Sequence, residues 1–373
     1  MSAPLSFALV FGAQFLGMGA IMPFLPAILA EGGLTAAQVG GVLAAGSLIR
    51  LIAAPLGGQI ADRAGDSRVV LATAAILAAA SAMGFGVAAG LALLLAVQIA
   101  HAITMAPVVP LTDALAIGAV RRMGFDYARV RAAGSVSYIL GAVLAGWAAE
   151  WAGPRAAAWI LAASLAATAG LALFLPRTPR IPAASQGSAW APMREPGFPR
   201  ILAIAALMQG SHAVYYGFST LHWQAAGLSS GFIGVLWGLG VVSEVLLFVY
   251  GRAFADRLGV RGLALLAAGS GVLRWSVTSV TTEPAILIAV QVLHGITFGA
   301  THLATMRALL AISTLQAKAQ TLVASAIGAT TGGLMWLSGG LYAMMGGGAF
   351  LAMALLCAIA FVLALGRNED RVE

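Results

Sequence analysis

Two stretches of this sequence carry one pattern, GGQIADRAG at residues 57–65 and GRAFADRLG at residues 251–259. Each stretch follows an apolar run that is long enough to cross a bilayer. A second pair repeats at nearly the same offset, VQIAHAIT at 97–104 and VQVLHGIT at 290–297. These repeats indicate that the chain consists of two copies of one membrane half, an organisation typical of secondary transporters.

The composition is that of an integral membrane protein. Of the 373 residues, 61% are hydrophobic and only 9% are charged, whereas about a quarter are charged in an average soluble domain. The net charge of +7 resides mainly in short loops, so we expect no nucleic-acid partner. A single cysteine, Cys357, excludes an internal disulfide. We expect no cofactor and no bound metal.

The apolar runs predict twelve transmembrane helices, because a bilayer-spanning helix needs about 20 apolar residues. The first six runs fall near residues 4–30, 36–61, 69–89, 91–118, 129–150 and 155–175. The other six fall near residues 199–226, 230–255, 261–282, 284–311, 317–342 and 346–366. We therefore expect an all-α integral membrane fold with two pseudo-symmetric six-helix halves, 1–175 and 199–373, joined by a proline-rich cytoplasmic linker at 176–198.

The distribution of basic residues predicts the orientation of these helices. Alternate loops, the linker and the C-terminal tail hold many arginines, whereas the opposite loops hold only Arg155. The positive-inside rule then assigns both termini and the linker to the cytoplasm. We expect a multi-pass protein of a plasma membrane, namely a bacterial inner membrane, that is surrounded by lipid and functions as a monomer.

Several ionisable or polar-tipped residues lie within the predicted spans, where a charge costs about 2.5–3.5 kcal/mol on insertion scales. Arg50 and Glu244 lie near the middle of spans two and eight, at corresponding positions of the two halves, so we expect them on facing walls of one cavity. The other candidates for substrate binding or proton coupling are Asp113, Arg131, Tyr215, Tyr216, Arg274 and His294. The alternative is structural, since such charges can pair with each other or extend to the membrane surface.

The repeated loop motif is a candidate for conformational gating. Its residues are Gly58, Asp62, Arg63 and Gly65 in the first half, and Asp256 and Arg257 in the second. A carboxylate at a helix end can meet a neighbouring helix N-terminus, and an arginine can hold the adjoining loop. The alternative is a charge cluster that only sets the topology.

The Gly-x-x-x-Asp-Arg-x-Gly loop at 58–65 resembles the signature of the major facilitator superfamily. Two further stretches, YARVRAAGS at 127–135 and WGLGVVSEVLLF at 237–248, are similar to the 3-phenylpropionic acid permease family, which is related to lactose–proton and nucleoside–proton symporters. The resemblance covers nearly the whole chain. It implies the major facilitator fold and the transport of a small-molecule substrate.

The resemblance also implies roles for residues of the first half. Asp113 and Arg131 match the span-four carboxylate and the span-five arginine with which lactose symporters grip their sugar. Tyr138 falls where that family has a tryptophan that stacks on the sugar. Because the tryptophan is replaced, the resemblance favours a substrate other than lactose.

In the second half, the resemblance matches Glu244, Arg274 and His294 to a span-eight glutamate, a span-nine arginine and a span-ten histidine of the lactose symporters. Thr297 stands where that family has its proton-carrying glutamate. Since threonine does not titrate at physiological pH, Glu244 or Asp113 must carry the proton if transport is proton-coupled.

We therefore expect a secondary active transporter that works by alternating access and takes up an aromatic or short carboxylic acid with protons. An arginine such as Arg50, Arg131 or Arg274 can bind a carboxylate bidentately. A sugar or nucleoside symporter, a proton-coupled exporter of an amphipathic compound, and a transporter-like sensor that moves no solute stay open as alternatives. An enzyme is not favoured, because the sequence has neither a His-Glu-x-x-His nor a Gly-x-x-x-x-Gly-Lys-Ser/Thr motif.

Overall fold

The computed structural model describes residues 1–177, 188–312 and 315–366, of which most are helical and none forms a β-strand. The first seven helices are α1 (Ala3–Glu31), α2 (Ala36–Ala64), α3 (Ser67–Val87), α4 (Leu91–Met105), α5 (Val108–Met123), α6 (Tyr127–Ala152) and α7 (Ala156–Ala172). The remaining eight are α8 (Phe198–Gly210), α9 (Ala213–Ala225), α10 (Ser230–Tyr250), α11 (Arg252–Val280), α12 (Pro284–His294), α13 (Thr301–Leu310), α14 (Gln316–Met345) and α15 (Ala349–Leu365).

These helices form twelve apolar segments within the described residues, six in each half of the sequence. Eleven of the segments lie in ten stretches that are long and apolar enough to cross a membrane, because one stretch, Gln316–Leu365, contains both α14 and α15. The twelfth segment is α7, a shorter apolar helix. The prediction of an all-α fold with six plus six membrane helices is confirmed.

Three spans are interrupted near their middle. In span four, α4 ends at Met105 and Pro107 precedes α5, where proline has no amide hydrogen to continue the helix. In span seven, Ser211 and His212 separate α8 from α9. In span ten, the π-helix Gly295–Ala300 joins α12 to α13. Such π-helical turns occur frequently at functional sites.

The boundary between spans eight and nine differs from the prediction. The predicted eighth span reached residue 255, but α10 ends at Tyr250 and α11 begins at Arg252. The predicted loop at 256–260 instead lies within α11, which is kinked at Gly259 with φ 61°. Glycine adopts this left-handed conformation without the steric cost of a Cβ. The second copy of the loop motif is therefore helical.

The structure divides into two compact units. Unit one comprises Met1–Ala183 and Trp223–Gly238, and unit two comprises Ala184–His222 and Leu239–Glu373. Part of the linker expected at 176–198 lies outside the described residues, because 178–187 are not described. The described part that follows contains a short 3-10 helix, Ala191–Arg194.

Within unit one, the backbones of α1 and α6 touch. A Cβ on Gly19 would overlap the carbonyl oxygen of Tyr138, and a Cβ on Gly141 would overlap the carbonyl oxygen of Leu16. Membrane helices approach this closely only where the interface residues are small. The contact fixes α6, which carries two of the candidate site residues, against α1.

We expect Gly19→Ala to lower the thermal unfolding temperature of the purified protein in detergent. The added methyl group must push α1 and α6 apart, and overpacking of this kind costs about 1–3 kcal/mol. The matched control is Gly170→Ala in α7, where a Cβ meets no atom within 4 Å. Equal unfolding temperatures for the two variants would contradict the backbone contact.

Candidate functional site

Unit one brings together a carboxylate, a phenol and a guanidinium. The Tyr127 hydroxyl, at the start of α6, donates a 2.8 Å hydrogen bond to Oδ1 of Asp113 on α5. Arg131 lies one turn further along α6 and interacts electrostatically with both side chains. The short connection is set by Gly124, which ends α5 with φ 70°, and by Asp126, whose carboxylate caps α6. The two candidates Asp113 and Arg131 therefore share one site.

The guanidinium of Arg131 packs on aromatic rings. Its Cζ lies 4.0 Å from the ring centroid of Phe15 and 5.5 Å from that of Phe11, both on α1. Gly134 leaves room for this packing, since a Cβ there would lie within about 3 Å of Phe15 and Arg131. Among the described residues, no carboxylate forms a salt bridge with Arg131. A face-on ring contact leaves the in-plane N–H groups of a guanidinium available to an anion.

The other candidates of unit one occupy different positions. Tyr138 lies seven residues after Arg131 on the same face of α6, and its carbonyl oxygen packs on Gly19. Arg50 lies at the middle of α2, where its side chain is exposed and interacts electrostatically with His101 of α4. Arg50 is therefore not part of the cluster formed by Asp113, Tyr127 and Arg131.

Unit two contains a second guanidinium, Arg274 of α11, which is fully buried. Its Nη1 donates to Nδ1 of His294 at 3.0 Å, to Oγ1 of Thr297 at 3.0 Å and to Nε2 of His212 at 3.3 Å. Its Nη2 donates to Oε1 of Gln291 at 2.8 Å. None of these partners is a carboxylate, so the charge is stabilised by neutral acceptors and ring faces.

The hydrogen bonds define the tautomer of one histidine. Nδ1 of His212 donates to the carbonyl oxygen of Met208 at 3.0 Å, so Nε2 carries the lone pair that faces Arg274. Nδ1 of His294 likewise accepts from Arg274. Both histidines are consistent with the neutral form, because a protonated ring would direct an N–H group at the guanidinium.

The remaining candidates of unit two surround this network. The Tyr215 hydroxyl accepts a 2.9 Å hydrogen bond from Nε2 of Gln291, and the Tyr215 ring lies 5.0 Å from Cζ of Arg274. The Tyr216 ring stacks on His212 at 5.7 Å. Glu244 of α10 packs beside the π-helix, where its Cγ would be 3.7 Å from a Cβ on Gly299. The network therefore gathers residues from spans seven, nine and ten, with span eight beside it.

In unit one, ion pairs form directly after the loop motif, at Asp66, which was not among the predicted gating residues. Asp66 caps α3 and pairs with Arg68 at 2.7 Å and with Arg177 at 3.5 Å. The hydrogen bonds from Arg68 lower the pKa of the Asp66 carboxyl to about 2, so this residue stays ionised at neutral pH. Arg68 also donates to the carbonyl oxygens of Leu173 and Leu175, at the end of span six. Asp66 and Arg68, directly after the motif, thus connect the start of α3 to the end of span six.

The predicted gating residues lie on helices or at helix ends in both units. Gly58 is on α2, Asp62 and Arg63 are exposed in its last turn, and Gly65 ends the helix with φ 77°. In unit two, Asp256 accepts a hydrogen bond from Arg307 of α13, and Arg257 is exposed.

Five residues of the two clusters were not among the predicted site residues. They are Phe11, Phe15, Tyr127, His212 and Gln291. Tyr127 and Gln291 lie within the motifs that contain Arg131 and His294, and His212 belongs to the group of polar-tipped rings in span seven that includes Tyr215 and Tyr216. No local pattern identifies the two phenylalanines, because their contact with Arg131 depends on packing between distant helices.

Comparison with known proteins identifies relatives. The sequence matches the family described as "MFS_1 like family" over residues 5–347. It is 36% identical over 369 residues to a protein of Escherichia coli named "Probable 3-phenylpropionic acid transporter", covering 95% of this chain and 96% of that protein. It is 26% identical over 275 residues to a maltose permease of Geobacillus stearothermophilus, covering 72% and 69% of the two chains.

Solved structures share the fold. The crystal structure of the nucleoside transporter NupG superimposes with a TM-score of 0.79, covering 98% of each chain at 17% sequence identity. At this identity the likeness concerns the arrangement of helices alone.

We expect His212→Leu to lower the unfolding temperature, because Arg274 then loses a buried acceptor at a cost of about 1–3 kcal/mol. The matched control is His302→Leu on α13, whose exposed ring makes an edge contact with Phe248 at 5.9 Å. Thermal unfolding in detergent compares the two variants. An equal effect at both positions would argue against the Arg274 network.

Proposed function

We propose, from the premise that this chain belongs to the MFS_1 like family of multi-pass membrane transporters, that it imports a small aromatic carboxylic acid together with protons by alternating access. The transporter class follows from the family. The observation that carries the choice of substrate is Arg131, whose guanidinium lies over the Phe15 ring and forms no salt bridge with a carboxylate among the described residues. The name of the Escherichia coli relative agrees with an aromatic acid.

In the proposed binding mode, Arg131 binds the carboxylate of the substrate and Tyr138 contacts its aromatic ring. The substrate carboxylate accepts two parallel hydrogen bonds from Arg131, the geometry that a guanidinium provides and an ammonium does not. The aryl ring packs against Tyr138, which lies two turns away on the same face of α6. Asp113 and Tyr127, which are hydrogen-bonded to each other, interact electrostatically with Arg131.

Arg274 is a less suitable anion ligand than Arg131. Both of its terminal nitrogens already donate to neutral acceptors, and its side chain is fully buried. An incoming carboxylate would have to displace Gln291 or one of the histidines. We therefore assign Arg274 to the positioning of spans seven, nine and ten.

Proton coupling is proposed to use Glu244. Thr297, at the position of the proton-carrying glutamate in lactose symporters, donates to the carbonyl oxygen of His294 and cannot titrate. Glu244 lies beside the π-helix that contains Thr297 and interacts electrostatically with Tyr216. Asp113 is the alternative carrier, with its carboxylate bound by Tyr127.

The cellular setting of the proposal follows from the charge pattern. The excess of basic residues on alternate loops supports cytoplasmic termini, and we propose the inner membrane of a bacterium as the location. We further propose that the monomer is the functional unit, with the gating residues of the repeated loop motif governing the change of access.

We expect Arg131→Gln to reduce uptake of radiolabelled 3-phenylpropionate into proteoliposomes about 10- to 100-fold, since a hydrogen bond to a charged group contributes about 1.5–3 kcal/mol. Arg131→Lys also loses active uptake, because an ammonium lacks the bidentate geometry. The matched control is Arg129→Gln, an arginine on the same helix whose side chain is 88% exposed. Unchanged uptake in both Arg131 variants would refute the assignment.

We expect 3-phenylpropionate to drive protons into proteoliposomes that contain a pH-sensitive dye, and Glu244→Gln to abolish this movement because an amide cannot carry the proton. Protein-free liposomes correct for passive entry of the protonated acid. Glu283→Gln is the matched control, since Glu283 is an exposed carboxylate before α12. A response to maltose or uridine but not to the acid would reassign the substrate, and full proton entry in Glu244→Gln would transfer the coupling role to another carboxylate.

A further inference from the structure

A cavity of about 590 Å³ lies in unit two, away from the Arg274 network. Its lining comes from the ends of three helices and from α11 just after its kink. Phe198 begins α8, Arg261 follows the kink of α11, Arg307 is in the last turn of α13, and Ala364 is in the last turn of α15. Because membrane helices end near the bilayer surface, the cavity lies at the level of lipid headgroups.

The lining combines positive charge with apolar surface. The described lining residues include three arginines, Arg200, Arg261 and Arg307, and one carboxylate, Glu195. The remaining wall is mainly aliphatic and includes Ile201, Ile204 and Ile312. Basic pockets between membrane helices on the cytoplasmic side suit the headgroups of anionic lipids.

The corresponding place in unit one shows what this cavity lacks. There, Arg68 donates to the carbonyl oxygens at the end of span six and is neutralised by Asp66. In unit two, Arg261 makes the same contacts with the carbonyl oxygens of Ala364 and Leu365, at 3.2 and 2.9 Å. In the repeated sequence, Val260 stands at the position that Asp66 has in unit one. It precedes Arg261, as Asp66 precedes Arg68.

The difference leaves Arg261 without an acidic partner among the described residues. Its hydrogen bonds go only to carbonyl oxygens, and Arg200 adds a further contact with the carbonyl oxygen of Gly366 at 3.2 Å. Carbonyl dipoles orient a guanidinium but do not neutralise it. An anion from outside the chain would supply in unit two the charge that Asp66 supplies in unit one.

We propose that this cavity binds the phosphate headgroup of an anionic phospholipid. The phosphate lies between Arg200 and Arg261, the two arginines that hold the end of α15, and an acyl chain follows the aliphatic wall formed by Ile201 and Ile204. A free phosphate ion shares the charge chemistry but leaves the aliphatic wall uncovered. Arg307 also donates to Asp256, so lipid binding places a second anion beside the gating motif of unit two.

The test measures lipid binding to the purified full-length protein by native mass spectrometry and by thermal unfolding. The probes are phosphatidylglycerol, phosphatidylcholine and sodium phosphate. We expect phosphatidylglycerol to raise the unfolding temperature and to stay bound, whereas the other two do neither. Arg261→Gln should weaken phosphatidylglycerol binding about fivefold, the effect of one arginine near an anionic surface.

Two further variants separate binding from folding. Arg68→Gln is the matched control, because it removes the same kind of helix-end contact from unit one, and it should leave phosphatidylglycerol binding unchanged. Ala308→Trp keeps all three arginines but fills the cavity, so it should abolish this binding even where Arg261→Gln does not fold.

Three results would overturn the proposal. One is equal binding of phosphatidylglycerol to the wild-type protein and to Ala308→Trp. Another is full stabilisation by sodium phosphate alone, which would make the cavity a site for a soluble anion. The third is binding that appears only after removal of residues 367–373, which would identify that segment as the occupant.

Discussion

Arg274 must keep its charge stabilised inside a helical bundle, and the surrounding helices depart from regular geometry around it. His212 lies at the break in span seven, and Thr297 lies within the π-helix of span ten. Both side chains hydrogen-bond to the guanidinium from these interruptions. Burial of a charge without a carboxylate partner is tolerated only when several acceptors and ring faces surround it. The interruptions are thus part of the solvation of one charge.

The two halves share a sequence pattern but meet their electrostatic needs differently. Unit one supplies its own anions, with Asp113 near Arg131 and Asp66 beside Arg68. Unit two supplies neutral acceptors to Arg274 and carbonyl oxygens to Arg261. The two halves repeat one sequence pattern, but single positions differ between them. Asp66 in unit one, for example, corresponds to Val260 in unit two, which removes an acidic side chain. In this protein, one such difference concerns the counter-ion of an arginine, because Arg68 pairs with Asp66 whereas Arg261 contacts carbonyl oxygens.

The fold and part of the site were accessible from the sequence for physical reasons. A membrane helix must be long and apolar, so composition alone located the twelve spans, and the repeat related the halves. The Asp113–Arg131 pair was predicted from the resemblance to lactose symporters, because the spacing of the two residues does not by itself show that they meet. The π-helix was not predicted, because no local sequence pattern marks it; at its first residue, the Gly295 amide donates to the hydroxyl of Ser243 on α10. Likewise, Asp256 and Arg257 lie in the first part of α11, before its kink at Gly259, although composition had assigned residues 256–260 to a loop.

The contact between α1 and α6 has a consequence for selectivity. Arg131 and Tyr138 are seven residues apart on one continuous helix, a separation of about 10 Å along its axis. The backbone of that helix lies against α1 where Gly19 meets Tyr138 and where Gly141 meets Leu16, so the Tyr138 end of the interval is held against α1. In the proposed binding mode, α6 therefore keeps Arg131 and Tyr138 at a fixed separation. An acid whose chain between ring and carboxylate is one carbon shorter or longer loses one of its two contacts, and discrimination between homologous acids precedes any movement of the protein.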